Sequence, residues 1–168
     1  MDERLPYTLV RSGEGEPIWF NSSLISVIAP SDRTDGAYAI VEVLAAAGNA
    51  TPLHVDPTVE TFRVLEGDIL VHVDGCEERL SSGDTIVIPR GVPHALLVTS
   101  ATARMLVFNA PGGHDRFFRT AGSPGRQDEL PPPRAPDLVK MKEAAAQYGM
   151  IIVGPPPFSG NSSRSSRP

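Results

Sequence analysis

The chain has 168 residues, a formal net charge of −5 and a pI near 5.3, which suits one domain large enough to bury a core. That acidity offers nucleic acid or an anionic membrane no electrostatic handle, and apart from Lys140 and Lys142 the 15 basic residues are scattered arginines. A lone cysteine, Cys76, excludes an intrachain disulfide and any multi-cysteine metal site.

The opening "MDERLPYTLV" is acidic and has no apolar run of the signal-peptide kind. No apolar stretch approaches the roughly 18 residues of a membrane span, so the expectation is a soluble, cytoplasmic protein. From Tyr7 to about Ala110 the pattern is β throughout. Strands are predicted at 7–11, 17–20, 24–29, 37–47, 51–56, 60–66, 68–74, 76–80, 84–88, 94–99 and 103–109. Turn signals such as "SDRTDG", "EGD", "VDG", "SSGD" and "PRGVP" bound them. Short strands at close spacing imply a closed or sandwiched antiparallel fold over residues 1–110. Residues 111–158 differ. "GGHDRFFRTAG" predicts a short helix with Phe117 and Phe118 as its apolar contact, followed by an extended proline-rich connector. "DLVKMKEAAAQYGM" predicts a second helix, with Asp137 as N-cap and Gly149 as stop. The tail 159–168, "SGNSSRSSRP", has too little apolar content to order itself.

Residues 52–67, "PLHVDPTVETFRVLEG", carry the chemistry. Residues two apart on a strand share a face, with Cα atoms about 6.6 Å apart, so His54 and Asp56 project together. Glu60 shares its face with apolar Phe62 and Val64, while Thr61 and Arg63 look outward. A carboxylate on an inner apolar face needs a pair, a hydrogen bond or a cation. A second stretch, "GDTIVIPRGVPHALLV" (83–98), turns rigidly at "PRGVP" and opens a strand at His94.

Together these stretches resemble the cupin superfamily. Gly48, His54, Asp56, Glu60 and Gly67 fall on its first motif, G-x5-H-x-H-x3-E-x6-G, and Gly83, Pro89, Gly91 and His94 on its second, G-x5-P-x-G-x2-H-x3-N. Asp56 stands where the family has His, and Val98 where it has Asn. "DRTDGAYAIVEV", "FNAPGGHDRFFRTAGSP" and "AAQYGMIIVGPPPF" are similar to monocupins of the quercetin 2,3-dioxygenase kind, extending the likeness to roughly residues 5–158. The resemblance implies an all-β fold, a small jelly-roll barrel, with short C-terminal helices and a homodimer formed through an N-terminal strand. It implies one divalent metal (iron, manganese, nickel, cobalt or zinc) at His54, Asp56, Glu60 and His94.

The aspartate changes that site. Two carboxylates and two neutral imidazoles cancel the charge of a divalent ion, whereas three histidines and one glutamate leave one positive charge. The neutral set lowers Lewis acidity and favours harder ions such as iron(II) or manganese(II). His54, Asp56 and His94 also make the ligand set of a two-histidine, one-carboxylate facial triad. Two readings stay open. In one, a quercetinase-like oxygenase acts on a small aromatic or polyketide-like molecule, with Glu60 as ligand or base and Phe62, Val64, Leu96 and Val98 as the apolar wall. In the other, a metal-poor cupin isomerises, cyclises or binds its ligand with Asp56 and Glu60 as acid and base. His72 and His114 are expected outside the site, His114 as a solvent or capping residue at a helix start. Cys76 reads as a loop or edge residue, and Arg104 as an ordinary strand residue.

Overall fold

A computed structural model of the chain describes residues 7–132 and 135–158. The first hairpin joins β1 (Glu16–Phe20) to β2 (Ser23–Ala29), and β3 (Ala39–Ala46) follows a single 3-10 turn at Ser31–Arg33. Seven strands then succeed one another: β4 (Leu53–Val55), β5 (Val59–Glu66), β6 (Asp68–Val73), β7 (Cys76–Ser81), β8 (Thr85–Ile88), β9 (His94–Val98) and β10 (Thr102–Ala110). The C-terminal part contributes α1 (His114–Ala121), β11 (Ser123–Pro124), α2 (Leu138–Gln147) and β12 (Ile151–Gly154).

Two antiparallel sheets result. One runs β11-β1-β2-β3-β10-β5-β8 and the other β12-β4-β9-β6-β7, so the fold is an all-β jelly roll with two short helices. Period-two alternation builds its interior. On β5, Glu60, Phe62 and Val64 are buried, and on β10, Ala103, Met105, Val107 and Asn109 are buried. Two turns show why the registers hold. Asp74 and Gly75 both take positive φ, at 47° and 82°, which gives the tight β6–β7 hairpin the twist its strands need. At Gly67, between β5 and β6, φ is +79° and an added Cβ would lie 2.2 Å from the Thr102 carbonyl oxygen, so no side chain fits there.

The C-terminal segment is tied to the barrel by specific contacts. Asp115 is fully buried, and its Oδ2 accepts from the Ser31 backbone N–H at 3.1 Å and from Arg119 Nη1 at 2.8 Å. The Asp137 side chain caps α2, accepting from Lys140 N–H at 3.0 Å, and Gly149 ends it at φ 74°. Both features were expected from the sequence.

Three elements differ from expectation. Residues 7–11, expected as a strand, form none. The strand expected at 51–56 shortens to Leu53–Val55, because Asp56 already belongs to a turn that accepts the Gly91 N–H at 3.0 Å. Residues 151–154 form β12, which pairs with β4 so that Ile152 lies opposite His54. A four-residue apolar run carries no periodicity of its own, and only the returning chain reveals it as an edge strand. The tail 159–168 lies outside the described residues. Among the described residues no helix is long and apolar enough to cross a membrane.

Candidate metal site

Three strands and one turn converge on one cluster of side chains. His54 on β4 and His94 on β9 are direct partners across the sheet, and their rings stand 4.3 Å apart, centroid to centroid. Glu60 enters from β5 in the opposite sheet, opposite Asn109 of β10. Asp56 comes from the β4–β5 turn. One ligand atom from each of His54, Asp56, Glu60 and His94 lies within 4.8 Å of all the others. These four could hold a metal ion.

The hydrogen bonds decide what faces the centre. His54 Nδ1 donates to the Pro52 carbonyl at 2.8 Å and His94 Nδ1 to the Val92 carbonyl at 2.9 Å. A carbonyl only accepts, so both Nδ1 atoms carry protons and both Nε2 atoms are left for the site. Each Nε2 lies 3.8 Å from Asp56 Oδ2. His94 Nε2 also lies 2.8 Å from Glu60 Oε2. The other Glu60 oxygen, Oε1, accepts from Asn109 Nδ2 at 3.2 Å and has His114 Nδ1 at 3.3 Å.

Asp56 is the outlier. It is 2% exposed, and neither carboxylate oxygen has a hydrogen-bond partner. A buried carboxylate left in that condition is costly. Burial first, and the nearby Glu60 charge second, push its pKa up to about 6. For Glu60, burial alone would raise the pKa. The His94 hydrogen bond and the charges of His114, His94 and His54 outweigh it and hold the group down at about 2. Burial, helped by the His94 charge, lowers His54 to about 4. Burial opposes charge on His94 as well, but the hydrogen bond and charge of Glu60 win and its pKa rises. Two imidazole nitrogens with fixed tautomers, an unpartnered carboxylate and an anionic Glu60 are a donor set suited to a divalent cation.

Beside this cluster lies a cleft enclosing about 870 Å³, part of it open to solvent. Phe62 and Leu96, two residues inward from Glu60 and His94, line it. Val64 and Val98 do not. Each is 1% exposed and packed in the core, because four residues of strand carry it about 13 Å from its ligand-bearing neighbour. Other parts of the wall come from β1, the two helices and the chain that follows them. Phe20 follows from β1, Phe117 and Phe118 from α1, Met141 and Ala145 from α2, and Met150 and Ile152 from the chain after α2.

Two residues near the site were missed. Asn109 carries the signal that exposed Glu60, a polar residue on an otherwise apolar inner face of its strand. His114 is 8% exposed, stacks parallel on Phe118 at 5.0 Å and approaches Glu60, so the expectation of a solvent or capping residue is corrected. Its burial depends on how α1 docks, and no local pattern encodes that. His72 lies on the face of β6 opposite Val71, edge-on to Phe158 at 6.5 Å. Cys76 is exposed on the edge strand β7, and Arg104 pairs with Glu42.

Comparison with known proteins agrees with this architecture. Residues 40–109 match the Cupin domain family. The chain is 34% identical over 154 residues to a protein named quercetin 2,3-dioxygenase from Bacillus subtilis, an alignment covering 90% of this chain and 45% of that protein. The chain therefore spans less than half the length of this curated relative. KdgF from Halomonas sp. superposes with a TM-score of 0.59 at 19% identity, over 66% of this chain and 98% of that one. An RmlC-like cupin from Shewanella frigidimarina does so with a TM-score of 0.57 at 19% identity, over 66% and 96% of the two chains. Motif spacing, jelly-roll sheets and these likenesses agree, and the chain belongs to the cupin superfamily, resembling its quercetin 2,3-dioxygenases.

Proposed function

We propose that this protein is a metal-dependent oxygenase of the quercetinase-like type, acting on a small aromatic or polyketide-like molecule. The observation that carries the reading is the buried, unpartnered Asp56 carboxylate beside His54, Glu60 and His94. The relative named quercetin 2,3-dioxygenase supports the reaction class, and the apolar walls of the cleft support a hydrophobic substrate. His54, Asp56, Glu60 and His94 would hold a divalent ion, which would supply Lewis acidity to a substrate hydroxyl.

The chain's own groups do the rest. Phe62, Leu96, Phe117 and Phe118 bind the ring system and exclude water. Glu60 Oε2 takes the hydroxyl proton, and Asn109 holds its other oxygen. The test is metal analysis after reconstitution with iron, manganese, nickel, cobalt or zinc, followed by oxygen-uptake assays with quercetin and other polyhydroxylated aromatics as probes. About one ion per chain and metal-dependent oxygen uptake are expected. Failure to bind any of these ions sinks the reading.

A second reading rests on a different observation. Asp56 and Glu60 share one site with pKa values pushed apart, to about 6 and about 2, the arrangement of an acid–base pair. It describes an isomerase or cyclase working without metal. Turnover that survives chelation but is lost in Asp56→Asn would favour it.

A further inference from the structure

His114 lies outside the matched Cupin domain residues, which end at 109, and nothing in the motifs uses it. We infer that His114 is a specificity-determining residue whose Nε2 hydrogen-bonds a second hydroxyl of an aromatic ligand, adjacent to the oxygen that meets the His54/Glu60/His94 cluster. For the position of the first oxygen this rests on the oxygenase reading.

Three features support the assignment. The ring is held in place: it lies 5° from the plane of Phe118 with centroids 5.0 Å apart, and edge-on to Phe117 at 5.7 Å. Phe20 braces both phenylalanines at 5.4 Å, so the imidazole has little freedom to turn. Nδ1 sits 3.3 Å from Glu60 Oε1, so an Nδ1–H faces the carboxylate and Nε2 is the ring atom left to hydrogen-bond a ligand. No described residue bonds that Nε2, and His114 lines both the apolar cleft and a smaller polar recess beyond Asp56.

A flat ring lying in the cleft that presents one oxygen to the cluster brings its neighbouring substituent towards His114. A ring nitrogen there selects a hydroxyl over a hydrogen or a methyl group, because only the hydroxyl can hydrogen-bond it. The ligand class is therefore an aromatic with two hydroxyls on adjacent carbons.

The test compares 2-naphthol with 2,3-dihydroxynaphthalene by fluorescence titration, without oxygen, in metal-free and nickel-loaded protein. In the wild type the diol should bind roughly tenfold more tightly, the equivalent of one good hydrogen bond. The ratio should fall to about one in His114→Phe, which keeps the ring stack, and recover in part in His114→Gln, which returns a hydrogen-bonding group. A diol preference that persists in His114→Phe would come from chelation by the ion and would overturn the assignment, as would equal affinities in the wild type. Metal content measured on the same samples separates the two ideas. Wild-type protein that takes up no nickel counts against the metal reading, while the diol ratio in that protein still decides the role of His114.

Discussion

His94 Nε2 lies 2.8 Å from Glu60 Oε2 while His94 Nδ1 is committed to the Val92 carbonyl. A neutral imidazole in that tautomer would point a lone pair at a carboxylate oxygen. Something positive has to lie between them, and the candidates are a proton or a metal ion. In the metal-free chain the proton takes this place, which accounts for the raised pKa of His94 and the lowered pKa of Glu60.

Metal binding should therefore compete with protons. Loading the site displaces the proton on His94, and below about pH 6 a second proton on Asp56. Apparent affinity should climb as pH rises from 5 past 6.5, the ordinary imidazole value above which His94 is raised, by about tenfold per pH unit for each proton released, with a steeper slope below about pH 6. Competition titrations with a chromophoric chelator at several pH values check this. A flat profile would mean that His94 and Asp56 do not ligate.

The stability of the metal-free protein carries a second pH signature. The folded pKa of Asp56 is raised from 3.8 to about 6, so its contribution is full below 3.8 and is lost as pH rises through 6. The folded pKa of His54 is lowered from 6.5 to about 4, so its contribution is full above 6.5 and is lost as pH falls through 4. Between roughly pH 4 and 6 the two oppose each other, and their combined contribution should be nearly flat. Asp56→Asn removes one side of this balance. Its melting temperature, measured without metal, should exceed that of the wild type at pH 8, and the excess should shrink as pH falls towards 4.

The barrel and the four-residue cluster were legible because they rest on local signals. Period-two alternation marked β5 and β10, and motif spacing picked out Glu60 and His94, 34 residues apart in sequence. The cavity wall was not legible. Phe117, Phe118, Met141 and Met150 reach it only because α1 and α2 dock on the barrel, a long-range event with no local period. The same docking brings His114 to Glu60. Val64 and Val98 failed as wall residues for a simpler reason: sharing the inner face of a strand does not fix depth along it.

The docked segment should also contribute measurably to stability. Met141 is 5% exposed and packs in the core cluster from α2. Met141→Ala should cost about 2–5 kcal/mol, the range for a buried methionine truncated to alanine. Chemical denaturation would read it as a lower midpoint with an unchanged slope. A cost below about 0.5 kcal/mol would show α2 to be loosely held.

Asp56 separates ligand from bystander. Asp56→His restores a third imidazole and one unit of positive site charge, so affinity for nickel, cobalt or zinc should rise relative to manganese, because imidazole suits those ions better than a second carboxylate. The larger side chain has room on one side, where Asp56, Pro57, Thr58, Gly112 and Gly113 line the polar recess. Turnover need not follow affinity, since the substrate would meet an ion held by a longer ligand. Asp56→Ala should weaken binding less than His54→Ala or His94→Ala. Its carboxylate has no hydrogen bond holding it in place, whereas both histidines are oriented by carbonyls. Isothermal titration with nickel and manganese on the four variants measures the order directly. If Asp56→Ala keeps full metal content and loses turnover, Asp56 moves protons rather than holding the ion, and the acid–base reading becomes the better account.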